Sequence, residues 1–191
     1  AFRIAARPAP PRAVIRRIVG LSLVEAIATL LPEGDDALHR QMAADYKHAF
    51  FHLRTTGAMA EEPLFDGIAE VLQTLSDDGW LLGVATGKSD RGLAHILAHH
   101  GLAHHFVTLQ TADRHPSKPD PAMLIAAMHE AGTTPQQTAM IGDTSFDMAM
   151  AKAAGARAVG VAWGYHDLQD LANGGADVVA ERVAALPGLL A

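Results

Sequence analysis

Trp80-Leu-Leu-Gly-Val-Ala85 is a near-continuous apolar run with no alternation. A strand with apolar residues on both faces must be covered on both faces, which is the habit of parallel sheets flanked by helices. The sequence around it keeps the same rhythm. The character changes at Glu61-Glu-Pro-Leu-Phe65, after which strand and helix patterns alternate. Asp66 to Asp78 is predicted helical, with Ile68, Val71, Leu72 and Leu75 on one face and Gly79 as its stop. After the apolar strand a helix runs to about His100, and His105 to Leu109 forms a second strand. A loop from Thr111 to Lys118 leads to a helix begun by Pro119 or Pro121 and closed by Gly132. The strands Thr138–Ile141 and Arg157–Val161 bracket a helix ending at Gly155, and Asp177–Val179 is a last short strand. The expected class is α/β with a parallel sheet.

The preceding residues show no strand pattern. Ala1 to Arg7 reads as the tail of a helix, broken by Pro8, Pro10 and Pro11. Pro11 opens a helix from Arg12 to Val19, and Gly20 ends it. Ser22 caps Leu23 to Leu31, and Pro32-Glu-Gly34 is a turn. Asp35 starts a long helix through Arg54, with Leu38, Met42, Ala49, Phe50 and Leu53 at expected core positions. The expected division is a small all-helical unit over residues 1–61 and an α/β unit over 62–191.

Composition narrows the function. A chain of 191 residues, 49% hydrophobic and 19% charged, can build one medium domain or a small pair. The net charge is −6 with no basic block, which argues against nucleic acid as a partner. There is no cysteine, so disulfides and thiolate metal sites are out. No apolar run approaches the roughly 18 residues of a membrane span, and no signal peptide is recognisable, which leaves the cytoplasm as the expected compartment.

The chemistry concentrates at Met140-Ile-Gly-Asp-Thr-Ser-Phe-Asp147. A strand stops at Gly142 and delivers Asp143 to its carboxyl end; Asp147 comes next, in the first turn of a helix. Open α/β sheets bind ligands at such junctions, and hard carboxylate oxygens suit Mg²⁺. The plainer alternative makes Asp143 a helix cap and Asp147 a solvated first-turn charge. Thr86, at another strand end, could hold an anionic oxygen with the amides of Gly87 and Lys88, or could simply cap the next helix. Lys118, in Ser117-Lys-Pro-Asp-Pro121, stands just before a proline-started helix. Threonine, lysine and two aspartates, each at a strand-to-helix junction, would together bind a phosphoryl group and its Mg²⁺.

Thr86-Gly-Lys-Ser89, Ser117-Lys-Pro-Asp-Pro121 and Gly142-Asp-Thr-Ser-Phe-Asp147 resemble the second, third and fourth motifs of the haloacid dehalogenase (HAD) superfamily. More narrowly, the chain resembles its phosphoglycolate-phosphatase-like branch. The resemblance implies a Rossmann-like core from Glu62 to Ala191 and a helical cap from Pro11 to about Thr56. It implies Mg²⁺-dependent hydrolysis of a small phosphorylated metabolite by a monomer or homodimer. Thr86 and the Gly87 amide would bind the transferring phosphoryl group, with Lys88 beside them. Lys118 would neutralise nucleophile and phosphate, Asp143 would ligate Mg²⁺, and Asp147 would hold Lys118 or the metal's water shell. In the cap, Gly20-Leu-Ser22 resembles the loop lowered over substrate. Arg16, Arg17, Lys47 and Arg54 are candidates for a substrate carboxylate or second phosphate, each weighed against a solvated helix charge.

One departure is large. The family's first motif, Asp-x-Asp-Gly-Thr on the central strand, carries the nucleophile and the general acid–base. No Asp-x-Asp occurs here, since Asp35-Asp36 and Asp77-Asp78 are adjacent pairs. With a start at Ala1-Phe2-Arg3 and no initiator Met, the expectation is that the first strand is missing from this chain. The chain alone should then lack turnover. Competing readings are a HAD sugar-phosphate mutase, a dehalogenase and a non-catalytic HAD-like binding module. His95 and His99 have the i, i+4 spacing of a metal pair, but a surface helix end is the better reading. Trp163-Gly-Tyr-His166 is expected to form a loop near the same sheet edge.

Overall fold

The computed structural model describes residues 1–57 and 62–190. Two compact units divide the chain, Ala1–Pro63 and Leu64–Ala191. Residue 61, where the sequence places the end of the helical unit, lies outside the described residues.

The first unit holds α1 (Arg12–Arg16), α2 (Leu23–Leu30) and α3 (Asp36–Thr55). Residues 2–6 form hydrogen-bonded turns rather than the expected helix tail. Arg7 N–H reaches back to the Phe2 carbonyl, and Ala6 takes a φ of 52°. So few residues ahead of three prolines cannot propagate a helix. Helix α1 also stops short of Val19, because Arg17, Ile18 and Val19 bond to carbonyls three residues back. That is the tighter 3₁₀ pattern. The Asp35 carboxylate accepts from Leu38 N–H at 2.8 Å, capping α3 as its sequence position predicts. Ile27, Leu31, Met42 and Ala43 form the core of this unit. The buried residues of α3, His39, Met42 and Ala43, all lie in its first eight positions. Ala49 and Phe50 are only half-buried, and Leu53 is 44% exposed, against expectation. Helix α2, eight residues and about 12 Å long, covers less than half of a 20-residue helix of about 30 Å.

The second unit alternates strictly: α4 (Ile68–Asp77), β1 (Leu82–Thr86), α5 (Asp90–His99), β2 (Phe106–Thr111), α6 (Ala122–Ala131), β3 (Ala139–Gly142), α7 (Ser145–Ala153), β4 (Arg157–Val161), α8 (Leu168–Asn173), β5 (Val178–Ala180) and α9 (Leu186–Leu190). Helix α4 begins two residues after the expected Asp66 because Gly67, at φ 81°, takes the left-handed conformation ahead of it. All strand pairs are parallel, but they fall into two sheets, β1-β2 and β3-β4-β5. Both sheets share the same covering layers. On one face Ala85 of β1 and Met140 of β3 pack against one cluster containing Met123, Met128, Met148 and Met150. On the other, Leu82 of β1 and Ala139 and Ile141 of β3 pack against Val71, Leu75, Val159 and Val161. Among the described residues β1 and β3 each keep one lateral edge that pairs with no other strand.

Candidate active site

The strand β3 ends at Gly142 because the chain beyond it must turn back over the strand end. A Cβ at Gly142 would lie 2.3 Å from the Asp147 Cβ, so only glycine lets that side chain sit against the strand. Asp143 then leaves the sheet, and Thr144 caps α7. The Thr144 hydroxyl accepts from Asp147 N–H, while the Asp147 carboxylate accepts from Thr144 N–H at 3.1 Å and from its hydroxyl at 2.7 Å. This reciprocal capping box satisfies two helix-end donors. The cap is thus Thr144 and not Asp143, and Asp147 is 3% exposed rather than a solvated charge.

The other oxygen of Asp147 is occupied as well. Lys118 Nζ lies 2.6 Å from Asp147 Oδ1, and both side chains are buried. Lys118 comes from the loop after β2, 29 residues earlier. A buried ammonium needs such a partner, because the desolvation cost of an unpaired ion is several kcal/mol. Both oxygens of Asp147 thus have partners, one in the helix cap and the other in the lysine.

Asp143 differs. Its Oδ2 accepts from Tyr165 N–H at 2.9 Å. Its Oδ1 has no hydrogen-bond partner among the described residues and is not a buried orphan. One oxygen is fixed and the other is open, which suits a hard cation. Among the described residues no group of three or more His, Cys, Asp or Glu side chains could hold a metal. A cation such as Mg²⁺ at Asp143 would take its remaining ligands from water and phosphate oxygens, as this ion commonly does.

Thr86 closes β1, in register with Thr111 of β2. The next helix is capped by Ser89, accepting from Gly92 N–H at 3.2 Å, so Thr86 is not the N-cap. Its Oγ1 accepts from Lys88 N–H at 3.2 Å. The hydroxyl proton remains for another acceptor. The Thr86-Gly-Lys-Ser89 loop is braced from β2: Ala112 N–H donates to the Lys88 carbonyl, and Asp113 accepts from Asp90 N–H at 2.9 Å. The Thr111 hydroxyl donates to Asp90 at 2.7 Å and holds that carboxyl below the usual carboxylate range, with the nearby Arg114 guanidinium acting in the same direction.

The remaining sequence candidates belong to other elements. Ser22 occupies the N-cap position of α2, with no side-chain cap bond there. Arg54 pairs with Glu62 at 3.2 Å and lies over the Phe50 ring at 5.1 Å. Both belong to the helical unit. His95 and His99 stack at 6.4 Å on α5. Sequence reasoning missed the bracing loop of Asp113 and the capping role of Thr144; the spacing Thr144-x-x-Asp147 is a capping-box signature and could have revealed the latter. It also left open what the loop Trp163–His166 does, and that loop proves to wrap Asp143.

The model for haloacid dehalogenase-like hydrolases matches residues 4–161. The chain belongs to that family. It is 33% identical over 98% of its length to the probable phosphatase IndB of Dickeya dadantii, covering 82% of that protein. It is 28% identical over 97% of its length to the phosphoglycolate phosphatase of Vibrio cholerae, covering 84% of it. Among solved structures, a predicted phosphatase from Clostridium acetobutylicum shares the fold with a TM-score of 0.85 at 24% identity, over 98% of this chain and 85% of that one. The Rossmann-like α/β class read from the sequence is therefore the observed one. No helix among the described residues is long and apolar enough to cross a membrane.

Proposed function

We propose that this HAD-family chain acts in Mg²⁺-dependent hydrolysis of a small phosphorylated metabolite, with phosphoglycolate the first substrate to test. The observation that carries this reading is the buried Lys118–Asp147 pair, at 2.6 Å, beside an aspartate with one open oxygen. A lysine fixed and desolvated in this way can neutralise a phosphoryl group at little cost in reorganisation. Thr86 supplies a hydroxyl donor to the same group, with the Gly87 amide next to it and the exposed Lys88 following. Asp143 holds the cation, which supplies charge neutralisation and orientation of the phosphate when bound. Ser22 and Arg54 of the helical unit select the substrate in this proposal.

The attacking carboxylate is not among these residues, since no Asp-x-Asp occurs in the 191. A strand bearing such a carboxylate would find unpaired edges at β1 and β3, and without one these 191 residues should bind phosphate but not turn over. Purified protein of this sequence should bind inorganic phosphate in the presence of Mg²⁺, lose that binding with Lys118→Met, and hydrolyse neither phosphoglycolate nor p-nitrophenyl phosphate. Hydrolysis that Asp143→Asn abolishes would sink the account of the missing nucleophile. The same absence favours a second reading, a binding module without catalysis. The codons preceding Ala1 separate the two: an Asp-x-Asp strand there supports the enzyme, its absence the module. Metal dependence of turnover in a protein carrying that strand separates a phosphatase from a dehalogenase.

A further inference from the structure

Trp163-Gly-Tyr-His166, the loop after β4, wraps Asp143 and the turn beyond it. Tyr165 N–H donates to Asp143 Oδ2 at 2.9 Å. His166 N–H donates to the Asp143 carbonyl at 3.1 Å. The His166 ring, 7% exposed, accepts through Nδ1 from Ser145 N–H at 3.1 Å, with the Ser145 hydroxyl 3.2 Å away. Gly164 presses against the carboxylate, and a Cβ there would lie 2.1 Å from the Asp143 Cβ and 2.3 Å from Oδ2. The loop is itself held at both ends, by fully buried β4 residues before it and by the Asp167 cap of α8 and buried Leu171 after it.

We propose that this loop is a clasp that sets which oxygen of Asp143 faces the cation, with Gly164 and His166 as its positioning residues. The proposal rests on the assignment of Asp143 as the cation's ligand. An aspartate on an unbraced turn rotates freely about χ1 and χ2. Here the Tyr165 amide takes Oδ2, the absent side chain at 164 leaves room for one orientation, and the turn beneath is pinned through Ser145 to His166. Oδ1 is left as the open atom. His166 acts as an acceptor at Nδ1 while its ring packs edge-on against Phe146 at 5.5 Å, so His166→Phe removes the lone pair and keeps a ring.

The test measures Mn²⁺ affinity of the full 191-residue chain by water-proton relaxation, alongside the thermal midpoint without metal. Partners behind a ligand typically change metal affinity by roughly 10- to 100-fold. Gly164→Ala and His166→Phe should each weaken Mn²⁺ about tenfold or more, with a cooperative unfolding transition retained. His166→Asn keeps an acceptor near Nδ1 and should stay within about threefold of the parent. Should Gly164→Ala fail to fold, the His166 pair decides alone. Affinity unchanged in both Gly164→Ala and His166→Phe overturns the clasp, as does an equal loss in His166→Asn and His166→Phe. Asp143→Asn is the separate control. If it binds Mn²⁺ like the parent, the assignment of Asp143 as ligand fails, and the clasp with it. If it is dead while the clasp variants are unaffected, only the clasp fails.

Discussion

The two halves of the α/β unit are built from similar strands and end up differently. Strand β4 reads Arg157-Ala-Val-Gly-Val161 and β1 reads Leu82-Gly-Val-Ala-Thr86, with nearly the same apolar content. Every residue of β4 after Arg157 is buried, whereas no residue of β1 or β3 is. The difference is lateral. Among the described residues β4 has β3 on one side and β5 on the other, while β1 has only β2 and β3 only β4. Helices cover the faces of all of them, yet β4 alone of these three has a hydrogen-bonded neighbour, about 4.8 Å away, on both sides. Apolar sequence thus states what a strand tolerates on its faces, and pairing decides whether its edge is dry.

The halves are also tied by a buried charged contact, Lys118 from the loop after β2 to Asp147 in α7, and breaking it should give the largest effect. Lys118→Met leaves a buried carboxylate without its counter-ion and should cost about 3–5 kcal/mol in urea unfolding. Lys118→Met with Asp147→Leu should recover most of this, short by about 1 kcal/mol for the lost capping box. Next in size, Val159→Ala in β4 should cost about 2–3 kcal/mol, and Val84→Ala in β1 about 1 kcal/mol or less, because Val84 keeps part of its surface in water either way. Equal costs would show that the edge of β1 is dry after all. Amide hydrogen exchange offers a structural version of the same comparison: the central amides of β4 should open only with global unfolding, and those of β1 and β3 should exchange through smaller openings.

The smallest effect concerns pH. In the β3-β4-β5 half, Asp177 accepts from Ala158 N–H at 2.8 Å and from Lys152 at 2.7 Å. The backbone bond first, and the lysine second, hold its carboxyl below the usual carboxylate range. A carboxyl whose folded pKa is depressed contributes stability above its unfolded pKa, near 3.9, and loses it as pH falls through the folded value. Asp177→Asn should therefore lower the thermal midpoint at pH 7, by the equivalent of less than about 1 kcal/mol given its solvent exposure, and the gap should close below about pH 4. Asp90 in the other half has the same sign, and Asp90→Asn should show a smaller gap closing in the same direction.

Much of the fold was legible because its signals are local. The run at Trp80–Ala85, the stops at Gly79 and Gly132 and the caps at Asp35 and Ser22 place elements to within about two residues. The extent of burial was not legible, because the exposure of Leu53 on α3 depends on how short α2 is, and that of β1 on which strand lies beside it. In the site, Thr86, Lys118, Asp143 and Asp147 stand out by their junction positions. What the residues alone leave open is the contact each oxygen makes. The pairing of Asp147 with Lys118, across 29 residues, was expected only through the family resemblance, whereas the Tyr165 amide that reaches Asp143 across 22 was not foreseen. Backbone donors leave no mark in side-chain identity, so only Gly164, which a Cβ would make impossible, hints at the contact.

Asp147 closes the start of a helix and anchors a lysine with the same carboxylate. Selection for a folded protein alone would therefore preserve it, and Lys118 with it, in a descendant that had stopped performing chemistry. Finding this pair in a relative testifies to common ancestry and a sound core. Activity has to be judged from positions that folding leaves free to drift, and the open oxygen of Asp143 is where such drift would first show.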